Sequence, residues 1–217
     1  MLLKDKTLAP PLRALSGVKS HLKAKTIGLK KSEDGLAAIE FALLAPLLIT
    51  MYFGLAEVAT AVAVNRAVSH ATNIAGDLTT QSTDIDAAEL EDVLTATLRV
   101  MAVPEASKVT IQIDSWTRDT DGNDTLVGSA TMNPGAASLP SFNIAKVDSS
   151  LLNENSGIVV ARIGYKYAPF KAMFFENDIN MKETFMLKPR RSSKVTFGSS
   201  EGKTYSCTSS GNTAKCN

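Results

Sequence analysis

The chain has 217 residues, of which 44% are hydrophobic and 21% are charged, and its 23 basic side chains nearly balance 22 acidic ones. This length suits one domain with an appendage, and the composition excludes a disordered chain, a collagen-like repeat, a cysteine-stapled miniprotein and a polytopic transporter. With 2 histidines, the chain has little material for histidine-based catalysis.

The charges are unevenly distributed. Residues 1–31 carry eight basic side chains and one acidic one, a formal charge of +7, whereas the part from Leu36 onward has 15 basic and 19 acidic side chains, a charge of −4. This asymmetry predicts that the two parts lie in different surroundings, and that residues 1–35 form a basic leader.

Residues 35–64 form an apolar stretch, GLAAIEFALLAPLLITMYFGLAEVATAVAV, in which Glu40 and Glu57 carry the charges. About 20 apolar helical residues cross a bilayer core of roughly 30 Å, so the stretch is long enough to span a membrane. Apolar residues occur all round the helix, as expected in lipid or within protein. We predict a transmembrane helix over 36–65 with a kink at Pro46, which lacks a backbone donor.

The basic leader predicts the orientation, because basic residues beside a span stay in the cytoplasm. The N-terminus is then cytoplasmic, and residues 66–217 form an exported domain. A signal peptide cleaved near Ala59-Thr60-Ala61 is the alternative. It would need a charged region of more than thirty residues and an apolar core longer than the usual 7 to 15 residues. In an oxidising exported compartment we expect Cys207 and Cys216 to pair and to close a small C-terminal loop.

Beyond the membrane segment, helical patterns precede strand patterns. The first helix continues with an apolar face to about residue 81, and a second begins at Asp86, which has capping-box spacing to Glu89, and ends before Pro104. Alternating apolar residues then predict an antiparallel sheet of about four strands, over 109–116, 125–132, 158–167 and 179–187.

The sequence between these strands predicts their connections. RDTDGND, after the first strand, is typical of a hairpin turn, and residues 133–156 form a long loop, which can hold a binding surface or none. The predicted fold class is therefore α+β. No phosphate loop, paired-histidine metal site, CxxC pair or nucleophile elbow occurs in the exported region, so we expect no cofactor, no metal and no enzymatic activity.

The junction between leader and helix reads KKSEDG-LAAIEF: a polar basic leader, then Gly35, four apolar residues, Glu40 and Phe41. This pattern resembles the type IV prepilins, and more closely the TadE/TadG-like pseudopilins of tight-adherence (Flp) pilus systems. The resemblance implies that a prepilin peptidase cuts between Gly35 and Leu36, which leaves Glu40 fifth and Phe41 sixth in the mature chain. The resemblance is strong over about residues 35–66, where it includes Ala42 to Leu48 and Gly54 to Glu57. It is thinner over Tyr167 to Pro169 and Met186 to Arg190.

Further properties are implied by the same resemblance. They are a pilin-like domain, a bacterial inner-membrane location with the domain in the periplasm, and a role in assembly in which Glu40 and Phe41 act. The partners would be the prepilin peptidase, other pilins or pseudopilins, the pilus assembly platform and the lipid bilayer, with no nucleic acid.

Alternatives remain open at this point. Burying a carboxylate in a membrane costs about 2.5 to 3.5 kcal/mol at the bilayer centre, but less near a helix start, so Glu40 is either an assembly residue or a tolerated interfacial acid. The whole chain could instead be an uncleaved, single-pass envelope adhesion or scaffold protein. A membrane-tethered periplasmic enzyme is a third possibility, although no convergent acid/base set supports it.

Overall fold

The computed structural model describes residues 35–169 and 177–217. It has an α+β fold with one long helix, a short second helix and a mostly antiparallel sheet, as predicted. The leader, residues 1–34, and the segment 170–176 lie outside the described residues. Among the described residues, contacts separate the first part of the long helix, up to Phe53, from a compact unit that begins at Gly54. The part of the long helix from Gly54 onward therefore belongs to the unit that contains the sheet.

Two α-helices and two short 3-10 helices are described. The α-helices are α1 (Leu36–Gln81) and α2 (Ala87–Met101), and the 3-10 helices are Ala106–Lys108 and Ile144–Lys146. Helix α2 begins where the sequence indicates, because the Asp86 carboxylate accepts a hydrogen bond from the backbone N–H of Glu89 at 2.8 Å. Its last residue is Met101; the N–H of Ala102 donates to the carbonyl of Leu98, and the left-handed backbone of Ala102 then turns the chain out of the helix.

The described residues after α1 form eight strands. They are β1 (Asp84–Ile85), β2 (Val109–Arg118), β3 (Asp124–Met132), β4 (Ser156–Tyr167), β5 (Ile179–Leu187), β6 (Thr196–Phe197), β7 (Lys203–Ser210) and β8 (Thr213–Cys216). Six of them form a sheet in the order β5-β4-β2-β3-β7-β8, and β1 pairs with β6 in a second, two-stranded sheet. In the large sheet β3 and β7 run parallel, and the other neighbours are antiparallel.

The four predicted strands form the centre and one side of the large sheet. The predicted turn between β2 and β3 is also present: the Asp119 carboxylate accepts hydrogen bonds from the backbone N–H groups of Asp121 and Asn123, and Gly122 supplies a positive φ of 80°. The sheet is wider than expected, because the C-terminal residues form β7 and β8 and add two strands to β3.

The main core lies between one face of the sheet and the two α-helices. Helix α2 contributes fully buried side chains at helical spacing, among them Leu90, Leu94 and Leu98, which form the predicted apolar stripe. Helix α1 contributes small residues, because it approaches the sheet closely at Gly76. A Cβ at Gly76 would lie 2.8 Å from Cδ1 of Leu187.

The opposite face of the sheet is covered by the loop between β3 and β4. Leu152 of this loop is fully buried in a second apolar cluster with Ile158 and Val160, and Trp116 and Phe142 pack against it. The long loop is therefore packed on the sheet over part of its length, since its apolar side chains would otherwise leave this face exposed to water.

Candidate functional site

The N-terminal part of α1 carries the predicted processing and assembly residues. The helix begins at Leu36, immediately after Gly35, and a Cβ on Gly35 would have no tertiary contact within 4 Å among the residues that the structure describes. The peptide bond between Gly35 and Leu36 therefore lies immediately before the first residue of the α-helix. Leu36 would be both the first residue of a processed chain and the first residue of the helix.

Glu40 and Phe41 follow in the second turn of α1. Both side chains are exposed, with Phe41 69% accessible, and Glu40 has no ion pair or hydrogen bond with the described residues. Glu40 lies four residues after Leu36, a rise of about 6 Å or roughly one helical turn. A carboxylate at this spacing can reach an amine at position 36 of its own chain or of a neighbour.

Helix α1 is continuous through Pro46. The Pro46 carbonyl accepts a hydrogen bond from the Thr50 hydroxyl at 2.8 Å, one turn later. Since Pro46 has no N–H, the carbonyl of Ala42 loses its usual helical donor. The kink expected here remains a prediction.

The surface of residues 36–53 is almost entirely apolar and exposed. Leu43 and Tyr52 are 76% and 70% accessible, and Leu47 is 63% accessible. Such a surface is unfavourable in water and is suited to lipid or to other apolar helices. Within the described residues, α1 is the helix long and apolar enough to cross a membrane, which makes it compatible with a single-pass anchor.

Glu57 lies in a different environment from Glu40. It is 9% exposed, and its Oε1 atom has no hydrogen-bond partner among the described residues. Arg66 is the next charged residue along α1, but an ion pair between Glu57 and Arg66 is unfavourable. The two residues are nine positions apart, and at about 3.6 residues per turn their side chains lie on opposite faces of the helix. Gly54 is also buried, so the face of α1 that packs in the domain already begins at Gly54.

The C-terminal cysteines lie opposite each other on β7 and β8. Cys207 and Cys216 form a disulfide with an S–S distance of 2.04 Å. Helix α2 binds the free edge of β8: Glu91 Oε1 accepts from the N–H of Cys216, and Thr95 Oγ1 accepts from the N–H of Ala214, both at 3.0 Å. The N–H of Cys216, together with Lys215, holds the pKa of Glu91 below its usual value.

One buried ion pair was not predicted from the sequence. Asp114 is 3% exposed and accepts hydrogen bonds from Arg162 at 2.6 Å, from Ser129 at 2.6 Å and from Gln112 at 3.0 Å. These residues lie on β2, β3 and β4 beneath the long loop, and the guanidinium of Arg162 stacks on Phe142 with its carbon 5.5 Å from the ring centroid. The contacts connect loop and sheet, and both carboxylate oxygens of Asp114 accept hydrogen bonds from protein side chains.

The available sequence signal for this pair was weak. Apolar and polar side chains alternate along β2 and β4, and Asp114 and Arg162 occupy polar positions of this pattern. Side chains at such positions ordinarily face water. The covering by the loop, which makes them buried, is visible only in three dimensions.

The structure and its apolar helix define a class: α+β proteins in which a long helix, compatible with a membrane anchor, leads into a mostly antiparallel sheet. Residues 35–77 match the family described as TadE-like protein. The match begins at Gly35 and ends within α1, and it confirms the resemblance read from the junction sequence. It supports a protein related to the tight-adherence pilus system and an association with pilus components.

The TadE-like family is a pilus-associated structural family. No curated protein and no solved structure matches the chain.

Proposed function

We propose that the chain is a pseudopilin or minor pilin subunit of tight-adherence pilus assembly or a related secretion system, processed between Gly35 and Leu36. The observation that carries this proposal is the coincidence of three features at one point of the chain. The basic leader ends there, α1 begins there, and the TadE-like match begins at Gly35.

Cleavage by the prepilin peptidase would create a positively charged amine at Leu36, one turn from Glu40. In apolar surroundings such a pair is electrostatically strong, although desolvation of both charges offsets much of the attraction. Its main effect would be on register: an exposed, unpaired carboxylate can select the axial position of a neighbouring helix that presents its own amine.

Transfer of the helix from lipid to a bundle of similar helices brings little hydrophobic gain, because lipid tails are as apolar as the side chains. Docking then depends on packing and on polar contacts. The exposed apolar surface of residues 36–53 supplies the packing, and Glu40 supplies the polar contact.

In this proposal the protein is anchored in the bacterial inner membrane, with residues 1–35 in the cytoplasm, residues 36–65 as the transmembrane helix and residues 66–217 in the periplasm. It acts by assembly with other pilins or pseudopilins and the assembly platform, and it catalyses no reaction.

Intact-mass measurement of the protein purified from its native membrane tests the processing step. We expect a mature chain that begins at Leu36, and we expect Gly35→Val to retain the full chain because a branched side chain replaces the residue at the cleaved bond. Ser32→Ala, a change in the leader that keeps Gly35, is the control and should be processed normally. Retention of Met1 in cells that build normal pili would refute the proposal and favour an uncleaved anchored scaffold.

A second variant separates processing from assembly. Glu40→Gln removes the charge and keeps the shape, so we expect normal trimming but fewer pili by electron microscopy. Thr50→Val is the matched control, because the Thr50 hydroxyl is engaged by its own helix at Pro46. Equal pilus counts in both variants would contradict the role assigned to Glu40.

A further inference from the structure

A groove of about 630 Å³ lies between α1 and the first half of β5. Its apolar lining includes Val58 and Val62 from the helix and Met181 from the strand. Arg66 and Lys182 bring one positive charge each from opposite sides. The valines are 46% and 47% accessible, so the groove is open to a ligand.

The two cations in the groove differ from many others in the described part of the chain. Seven lysine or arginine side chains there form ion pairs with carboxylates. Among the residues that the structure describes, neither Arg66 nor Lys182 has a carboxylate within 4.0 Å, and both are exposed. Two unneutralised positive charges beside one groove complement an anion, and the amides of Asn65 and Asn180, which also line the groove, add hydrogen-bond donors.

The sequence position of the groove indicates the kind of anion. Arg66 is the first basic residue after the apolar stretch that begins at Leu36. A bilayer core entered at Phe41 is crossed in about 20 residues, so the helix leaves it at about residue 60. Arg66 then lies about 9 Å further along the axis. A long arginine side chain there can extend back into the headgroup layer while its methylene groups cover apolar surface.

We propose that this groove binds the headgroup of an anionic phospholipid from the leaflet that α1 leaves at about residue 60. The phosphate lies between Arg66 and Lys182, and the glycerol and upper acyl carbons pack on Val58, Val62 and Met181. A single ligand thus contacts both the two cations and the apolar lining of the groove. The inference needs α1 to be a membrane anchor, but it is independent of cleavage after Gly35 and of pilus assembly.

The test is lipid binding by the full-length protein, purified in a neutral detergent, freed of lipid and titrated with phosphatidylglycerol or phosphatidylcholine under native mass spectrometry. We expect stronger binding of phosphatidylglycerol. The double variant Arg66→Gln with Lys182→Gln should lose about 25-fold in affinity for it, the product of about fivefold for each cation near an anionic surface.

The matched control carries the same change in charge outside the groove. Arg99 and Lys146 are exposed and do not line it, so Arg99→Gln with Lys146→Gln should bind phosphatidylglycerol like the wild type. The charge-retaining variant Arg66→Lys with Lys182→Arg should also keep the preference, which separates loss of charge from misfolding.

Several results would overturn the proposal. Equal affinity for the two lipids, or equal losses in the groove variant and its control, would show that no specific site exists. Full competition by millimolar inorganic phosphate would assign the groove to a free anion. A protein dimer that disappears in the groove variant while lipid binding persists would assign it to a second copy of the chain. Because none of these results depends on trimming of the leader, failure here is distinguishable from failure of the proposed function.

Discussion

The disulfide between Cys207 and Cys216 permits a quantitative prediction. The two residues are nine positions apart, and the cross-link lowers the conformational entropy of the unfolded chain. For a loop of about ten residues the chain-entropy relation gives about 9 cal/mol/K, which corresponds to about 2.7 kcal/mol at 25 °C. Residual hairpin structure in the unfolded chain reduces this value.

The perturbation is Cys216→Ala. This variant breaks the cross-link and keeps the side chain of Cys207, which is fully buried in the main core. We expect the free energy of unfolding to fall by about 2.7 kcal/mol or somewhat less. The assay is urea unfolding of the detergent-solubilised chain, monitored by circular dichroism. Reductant is present to prevent disulfides between the free Cys207 side chains of two molecules.

Two controls isolate the cross-link. Ser206→Ala changes an exposed residue of β7 next to Cys207 and should alter stability by less than about 0.5 kcal/mol. Reductant added to the wild type should reproduce the effect of Cys216→Ala, because it opens the same loop. A loss below about 1 kcal/mol in both the variant and the reduced wild type would refute the entropic reasoning.

Two further predictions concern the loop on the sheet and the edge of β8. Gly164→Ala should destabilise the domain by about 1 to 3 kcal/mol in urea unfolding, because the new Cβ would lie 2.4 Å from the backbone oxygen of Ser138 and displace the loop; unchanged stability and Trp116 fluorescence would contradict this. The pKa of Glu91 is lowered by the N–H of Cys216, so its stabilisation of β8 is present above the unfolded value of about 4.3 and is lost as pH falls through the lower folded value. The protection factors of the β8 amides, which compare their exchange with that of the unfolded chain at the same pH, should then fall in acid, and Glu91→Gln should abolish that fall.

Some parts of the structure follow from local sequence. Helix α2 was predicted from Asp86 to just before Pro104 because caps and apolar spacing act within a few residues. The four central strands were predicted for a similar reason, since alternation of apolar side chains reports that a strand has one face on a core. The family resemblance was also local, and the match over residues 35–77 confirmed it.

Strands β7 and β8 were not predicted from the sequence, because they contain few apolar residues and so show little apolar and polar alternation. In β7 only Tyr205 and Cys207 are buried, among serines, threonines and a lysine. These two side chains were the available signal for a strand. Their pairing beside β3, in parallel, joins segments far apart in the chain, and no local pattern encodes such a register.

The sequence by itself determined where the apolar helix starts, which residues stand at its junction with the leader, and the α+β class. Only the tertiary structure decided that Glu57 is buried, that the long loop covers the outer face of the sheet, and that Arg66 and Lys182 share a groove. The physical reason is that helix caps, turns and periodicity depend on neighbours within a few residues. Burial and the convergence of charges depend instead on which distant segments the folded chain brings together.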